Sequence, residues 1–311
     1  MAFDLILRNA RIAGIAPEAP LMDIAIQGET IVTVEPHFDG EGEERDVGGL
    51  FVSPGLIETH IHLDKSCIMD RCTAAPDRGT DHMARVAAVK PGFTQDDVYA
   101  RAQATLEQCL VNGASHMRTH VELDPNVGLR GFEALKQLAV DYRWAIDIEI
   151  CVFAQEGWTN APETDANIVA ALQNGATVVG GAPGYDPDHG GQIRRIFELA
   201  RDYDVDVDIH LDVGPTIDGM DIHLVCELTE VYGWGGRVAV GHGTKYPVYR
   251  RRNCRPWGGA WPIPVLPSPC CRRRTCLSWA GIRTTASCAA WPTPTLCWPA
   301  ASIVLYPPTT S

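Results

Sequence analysis

No aspartate or glutamate occurs after Glu230, although the 311-residue chain holds 39 of them. At the chain's own average the remaining 81 residues would carry about ten carboxylates. The net charge of −13 therefore conceals −23 over residues 1–230 and +10 over residues 231–311. Other absences narrow the class further. No run of 18 apolar residues is present, which excludes a membrane-spanning helix and predicts no membrane partner. Met1–Leu7 carries Asp4 and no basic flank, so it does not read as a secretory leader. Glycine (29) and proline (22) stay near globular averages, which excludes collagen-like and wholly disordered chains. A cytoplasmic globular protein is expected.

What is present falls into three parts. Residues 1–50 hold short alternating runs at Leu5–Leu7, Ile24–Ile26 and Thr30–Val34 with glycine punctuation, predicting a small β subdomain. Residues 51–245 alternate strand-like and helix-like stretches, the pattern of parallel α/β architecture. Strands are predicted at Leu56–His62, Ser115–Val121, Ala145–Phe153, Ala176–Gly180, Val205–Leu211 and Arg237–Val240. Helices are predicted at Thr94–Asn112, with Thr94 as its cap, and at Gly131–Tyr142, Asp165–Asn174, Gly191–Tyr203 and Asp221–Tyr232. Six such units predict an α/β fold of the (β/α)8 TIM-barrel type, incomplete after the sixth strand.

The strongest local signal is His60 with His62. On a strand, residues i and i+2 share a face and can grip one ion together, and strand ends are where barrels place chemistry. The plain alternative is a pair of ordinary histidines. Context decides: the run from Val52 through Thr59-His60-Ile61-His62-Leu63-Asp64 resembles the first barrel strand of the amidohydrolase superfamily. Arg118-Thr119-His120-Val121, Phe153-Ala154-Gln155-Glu156-Gly157 and Asp208-Ile209-His210 follow in the expected order. Together they resemble the cytosine deaminase branch and its relatives that hydrolyse C–N bonds of triazines and other nitrogen heterocycles.

The resemblance, which covers residues 1–245, implies that His60, His62 and His210 bind one divalent ion, zinc or iron. Such an ion lowers the pKa of a bound water from 15.7 to about 7. It further implies that His242 polarises the substrate or shuttles a proton, and that Gln155 reads the NH and C=O edge of a cyclic amide, the small heterocyclic substrate. Binuclear members carry a modified lysine at the end of the fourth strand. Here that strand ends Val179-Gly180-Gly181, so one ion is expected. The acidic first 230 residues fit a small-molecule enzyme and no nucleic-acid partner. Assembly as a homo-oligomer is left open.

Two departures stand out. The glutamate three positions after the fifth-strand histidine is missing, since His210 is followed by Leu211-Asp212-Val213. Asp212 is the nearest carboxylate, but at i+2 it shares the histidine's strand face, so it could serve as the base only with altered geometry. Asp64 and Lys65 are further polar groups, with Lys65 read as solvated surface, and Glu156 reads as a helix-start acid. The eighth-strand aspartate also has no counterpart. Residues 246–311 hold six of eleven cysteines, five of eight tryptophans, no lysine and no acid. They resemble a G+C-rich gene translated out of frame, with the shift near Thr244–Val248. Read one frame over, with free codon choice, Pro247–Thr275 can encode a helix, a turn and a strand. The tail shows neither a paired Cys spacing with histidine nor a nucleic-acid motif, and is expected to be poorly ordered. The competing reading is an inactive, truncated metal-binding fragment.

Overall fold

A computed structural model of the protein describes residues 2–72, 82–245 and 303–306. Two sheets organise them. In the first, β1 (Ala2–Ile12), β2 (Met22–Gln27) and β3 (Thr30–Glu35) run antiparallel in sequence, while β4 (Glu41–Asp46) and β5 (Phe51–Pro54) both lie parallel to β1. Leu7, Ala10, Ile12, Ile24, Val47 and Val52 give this sheet its own apolar cluster. The small β subdomain is therefore present, and pairing of Arg11 with Phe51 carries it through Pro54. The strand β4 escaped the sequence because all six of its residues are exposed and no apolar alternation marks it. The expected aberrant, poorly ordered tail lies outside the described residues, apart from β12 (Ile303–Tyr306), which pairs antiparallel with β5.

The second sheet contains β6 (Leu56–Ile61), β7 (Ala114–Glu122), β8 (Asp147–Ala154), β9 (Val178–Gly181), β10 (Asp206–Leu211) and β11 (Val238–His242). All are parallel and neighbour one another in sequence order. Every residue of β9 is buried, as are Cys151–Ala154 of β8 and Val207–Leu211 of β10. Such continuous burial is the mark of a parallel sheet covered on both faces. The helices α1 (His82–Val89), α2 (Gln95–Val111), α3 (Arg130–Asp141), α4 (Pro162–Gln173), α5 (His189–Tyr203) and α6 (Ile222–Val231) connect the strands.

Local sequence sets these helices. Thr94 Oγ1 accepts the Asp97 N–H at 3.2 Å and starts α2, as the sequence predicts, and Asp188 accepts from Gly191 N at 2.8 Å to start α5. Ile193, Ile196, Phe197 and Ala200 then repeat at helical spacing and are buried. The short α1, by contrast, was not anticipated.

The sheet is curled. Its two end strands, β6 and β11, are five places apart in the order, yet the His60 and His242 rings lie 5.3 Å apart. Among the described residues the result is an α/β fold with a barrel-like sheet of six strands, against eight in a full barrel, plus the N-terminal β subdomain. Leu56 and Ile57 of β6 remain about half exposed. Among the described residues no helix is long and apolar enough to cross a membrane.

Candidate metal centre

Five histidines converge where the parallel strands end. His60 is the penultimate residue of β6 and His62 follows the strand, while His120, His210 and His242 belong to β7, β10 and β11. The His60 ring centroid lies 4.1 Å from that of His120, 4.7 Å from His210 and 5.3 Å from both His62 and His242. Ring nitrogens of His60, His210 and His242 fall within 4.8 Å of one another. His62 joins through its Nε2, 3.1 Å from His210 Nε2. Two ligands about 2.0–2.1 Å from a tetrahedral zinc stand about 3.3 Å apart, so this separation suits a shared cation. Phe153 of β8 stacks on His210 with centroids 4.6 Å apart and supplies an apolar wall.

The nitrogens themselves indicate what the cluster suits. His60 Nε2, His62 Nδ1, His210 Nδ1 and both ring nitrogens of His120 are buried without a hydrogen-bond partner. Buried polar atoms are ordinarily paired, and several convergent exceptions point to an ion. Protonation is no substitute, because burial, helped by the nearby His120, pushes the His60 pKa down to about 4. Burial likewise drives His62 and His210 well below the ordinary imidazole value. Neutral imidazoles offer lone pairs, the state a metal ligand requires. The donor set therefore fits a divalent ion.

A second nitrogen and oxygen set, His60, His120 and Asp208, is equally compact. There, however, Arg118 already neutralises Asp208, with Nη1 donating to Oδ2 at 2.8 Å. The Asp208 oxygen stands 3.6 Å from His120 Nε2, beyond a good hydrogen bond. Three neutral imidazoles are the better cation host, because a guanidinium beside the carboxylate opposes a second positive charge. The fourth barrel strand contributes nothing further: a Cβ at Gly180 would run into the Asp208 carbonyl oxygen, and one at Gly181 into Gln192 Oε1.

Comparison with known proteins settles the family. The profile described as "Amidohydrolase family" matches residues 51–223. N-isopropylammelide isopropyl amidohydrolase of Pseudomonas sp. (strain ADP) is 30% identical over 250 residues, covering 77% of this chain and 61% of the relative. This chain belongs to the amidohydrolase family. Among solved structures, the 5-methylcytosine deaminase of Klebsiella pneumoniae liganded with 5-fluorocytosine superposes with a TM-score of 0.69 at 25% identity, covering 79% of this chain and 62% of that one. The N-isopropylammelide isopropylaminohydrolase of Burkholderia multivorans ATCC 17616 gives a TM-score of 0.67 at 26% identity, covering 78% and 61%. The amidohydrolase chain here thus spans about three-fifths of the length of these relatives.

The structure brings His60, His62, His210 and His242 of this amidohydrolase together, and buries Gln155 just beyond β8, two residues after Phe153. Asp212 requires a correction. Its φ of 52° breaks the strand's alternation, so it does not continue the face of His210. Its carboxylate instead accepts the Asp221 and Ile222 amides, at 2.8 and 3.2 Å, at the start of α6. A carboxylate so engaged anchors the start of the helix. Lys65 is corrected too. Far from solvated, its ammonium lies 2.5 Å from the buried Glu122 carboxylate. Its charge helps depress the pKa of His62, after burial, and so lies close to the cluster. Glu156 is no mere helix-start acid either, since it pairs with buried Lys90 at 2.5 Å. Sequence reasoning gave no role to Arg118, His120, Glu122 or Asp208. A signal existed: Arg118, His120 and Glu122 occupy alternate positions of one strand, as Asp208 and His210 do on another.

Proposed function

We propose that this amidohydrolase architecture serves hydrolysis of a C–N bond, by deamination or by opening an amide-like bond, in a small nitrogen heterocycle of cytosine-like or triazine-like type. One observation carries the reading, namely the convergence of neutral, unpaired and buried imidazole nitrogens at the strand ends. The names of the relatives, which act on ring systems of this kind, support the substrate class. His60, His62 and His210 would hold one zinc or iron ion, whose Lewis acidity makes a water-derived nucleophile accessible at neutral pH.

The remaining roles fall to the chain's own groups. His242 carries a positive φ of 65° at the end of β11, a strained conformation of the kind retained at functional positions. Its ring, 5.2 Å from His210, would move a proton between nucleophile and leaving amine. Burial lowers its pKa, favouring the neutral, proton-accepting form. The Gln155 side-chain amide would orient the ring by donating and accepting one hydrogen bond each. Phe153 excludes water from the side of His210 that it stacks on. Residues 1–50 and 51–245 would form the β subdomain and the hydrolase unit of a cytoplasmic protein.

The absence of any acid after Glu230 and the six strands of the parallel sheet among the described residues favour a second reading, an inactive metal-binding fragment left by a frameshift near Thr244–Val248. Turnover of a heterocycle panel by the 311-residue chain, beside a version with the alternative frame restored, separates the two. Activity in the restored version alone supports both the chemistry and the frameshift. A metal-loaded restored protein that hydrolyses no member of the panel would refute the substrate class.

A further inference from the structure

One buried cation takes no part in the chemistry proposed above. Lys90, in the turn Lys90–Gly92 after α1, is 1% exposed. Its ammonium meets three carboxylates: Glu122 at the end of β7, Asp124 at 3.4 Å in the loop that follows, and Glu156 at 2.5 Å beyond β8. Placing a lysine out of water is expensive, and one well-formed ion pair is the usual compensation. Here the partners lie at two separate strand ends, one leading to Lys65 and the other to the turn that carries Gln155.

Two chains of contact leave Lys90. Through Glu122 it reaches Lys65, whose ammonium lies 2.5 Å from the same carboxylate and whose charge is felt at His60, His62, His210 and His242. Through Glu156 and Asp124 it reaches the turn that carries Gln155. Asp124 Oδ1 accepts the Gln155 amide at 3.1 Å and the Glu156 amide at 2.8 Å, and Asn126 Nδ2 adds a weak 3.4 Å bond to Glu156. Without a cation between them, the buried Glu122 and Asp124 and the half-buried Glu156 would repel one another, and the turn would lose what fixes it.

We propose that Lys90 is a positioning residue, whose buried ammonium clamps the Gln155–Glu156 turn against the end of β7 and so sets the substrate-reading edge relative to the histidine cluster. The part concerning substrate rests on the role proposed for Gln155, whereas the clamp itself stands on the ion pairs. The residue touches no substrate. Its effect is to hold the turn that does.

The test uses the zinc-loaded 311-residue protein and its Lys90→Met variant, with three readouts. Amide hydrogen exchange at Gln155 and Glu156 should accelerate at least tenfold, while the amides of Met117–Val121 inside β7 and the zinc stoichiometry stay within twofold. Binding of 5-fluorocytosine, followed by its ¹⁹F resonance, should weaken about tenfold. Should Lys90→Met fail to fold, Glu156→Gln, which leaves Lys90 two carboxylates, should show the same local loosening at a smaller amplitude. Unchanged exchange at Gln155 and Glu156 would overturn the proposal, as would a uniform loss of protection throughout the sheet, which is the mark of a merely structural lysine. If the unaltered protein does not bind 5-fluorocytosine, the heterocycle reading falls, and the exchange result alone upholds or overturns the role of Lys90.

Discussion

Replacing Arg118 by methionine removes the only positive charge shown bonded to Asp208 among the described residues and leaves a buried carboxylate beneath the histidines. The pair is tight, with Nη1 to Oδ2 at 2.8 Å and side chains 8% and 5% exposed. At an effective dielectric of about 20 its gross Coulomb attraction is about 6 kcal/mol. Desolvation cancels much of that, and breaking such a pair from one side typically costs about 3–5 kcal/mol. The second guanidinium contact, Nε to the half-exposed Glu149 at 2.6 Å, adds little because solvent screens it. Urea unfolding of the metal-free protein at pH 7 should therefore show Arg118→Met destabilised by about 3–5 kcal/mol. The double variant Arg118→Met with Asp208→Asn removes both charges and should recover all but about 1–2 kcal/mol. A single-variant loss below about 1 kcal/mol, or a double variant no more stable than the single, would refute this account of the strand-end charges.

Two further outcomes follow from burial and close packing. Burial and the neighbouring Glu122 charge raise the Asp64 pKa to about 6. The folded state therefore holds a proton that the unfolded state releases near pH 3.9, and stability from this group is full below that pH and lost as pH rises through about 6. Asp64→Asn, which stays neutral, should gain about 2 kcal/mol over the unaltered protein at pH 8 and almost nothing at pH 4. Equal differences at both pH values in chemical denaturation would contradict the sign. Gly180→Ala drives a Cβ into the Asp208 backbone where β9 pairs with β10, so a loss of about 3 kcal/mol or more is expected by thermal unfolding. A variant with unchanged Tm would show that β9 and β10 are not packed this closely.

Much of the barrel was legible because parallel strands are short apolar runs that end in polar residues. His60 and His62 announce themselves by a two-residue spacing, and Asp208 with His210 does the same. What stayed hidden depended on partners far along the chain. Lys65 looks like a surface lysine until Glu122, 57 residues later, is folded against it. Lys90, within a Lys-Pro-Gly turn, gives no local hint of the three carboxylates that surround it. Asp212 was misread because strand alternation was extended across a left-handed residue, which one sequence does not reveal. Strand β4 is charged throughout and is held by its backbone pairing with β1, so hydrophobic periodicity had nothing to detect.

The central claim is that neutral imidazoles at the ends of two strands, β6 and β10, hold one divalent ion. Metal analysis of the purified protein after loading with zinc, with affinity read by chelator competition, tests it directly. The account predicts one ion per chain, lost from both His60→Ala and His210→Ala while the far-UV circular dichroism is retained. Undiminished occupancy in either variant would contradict it.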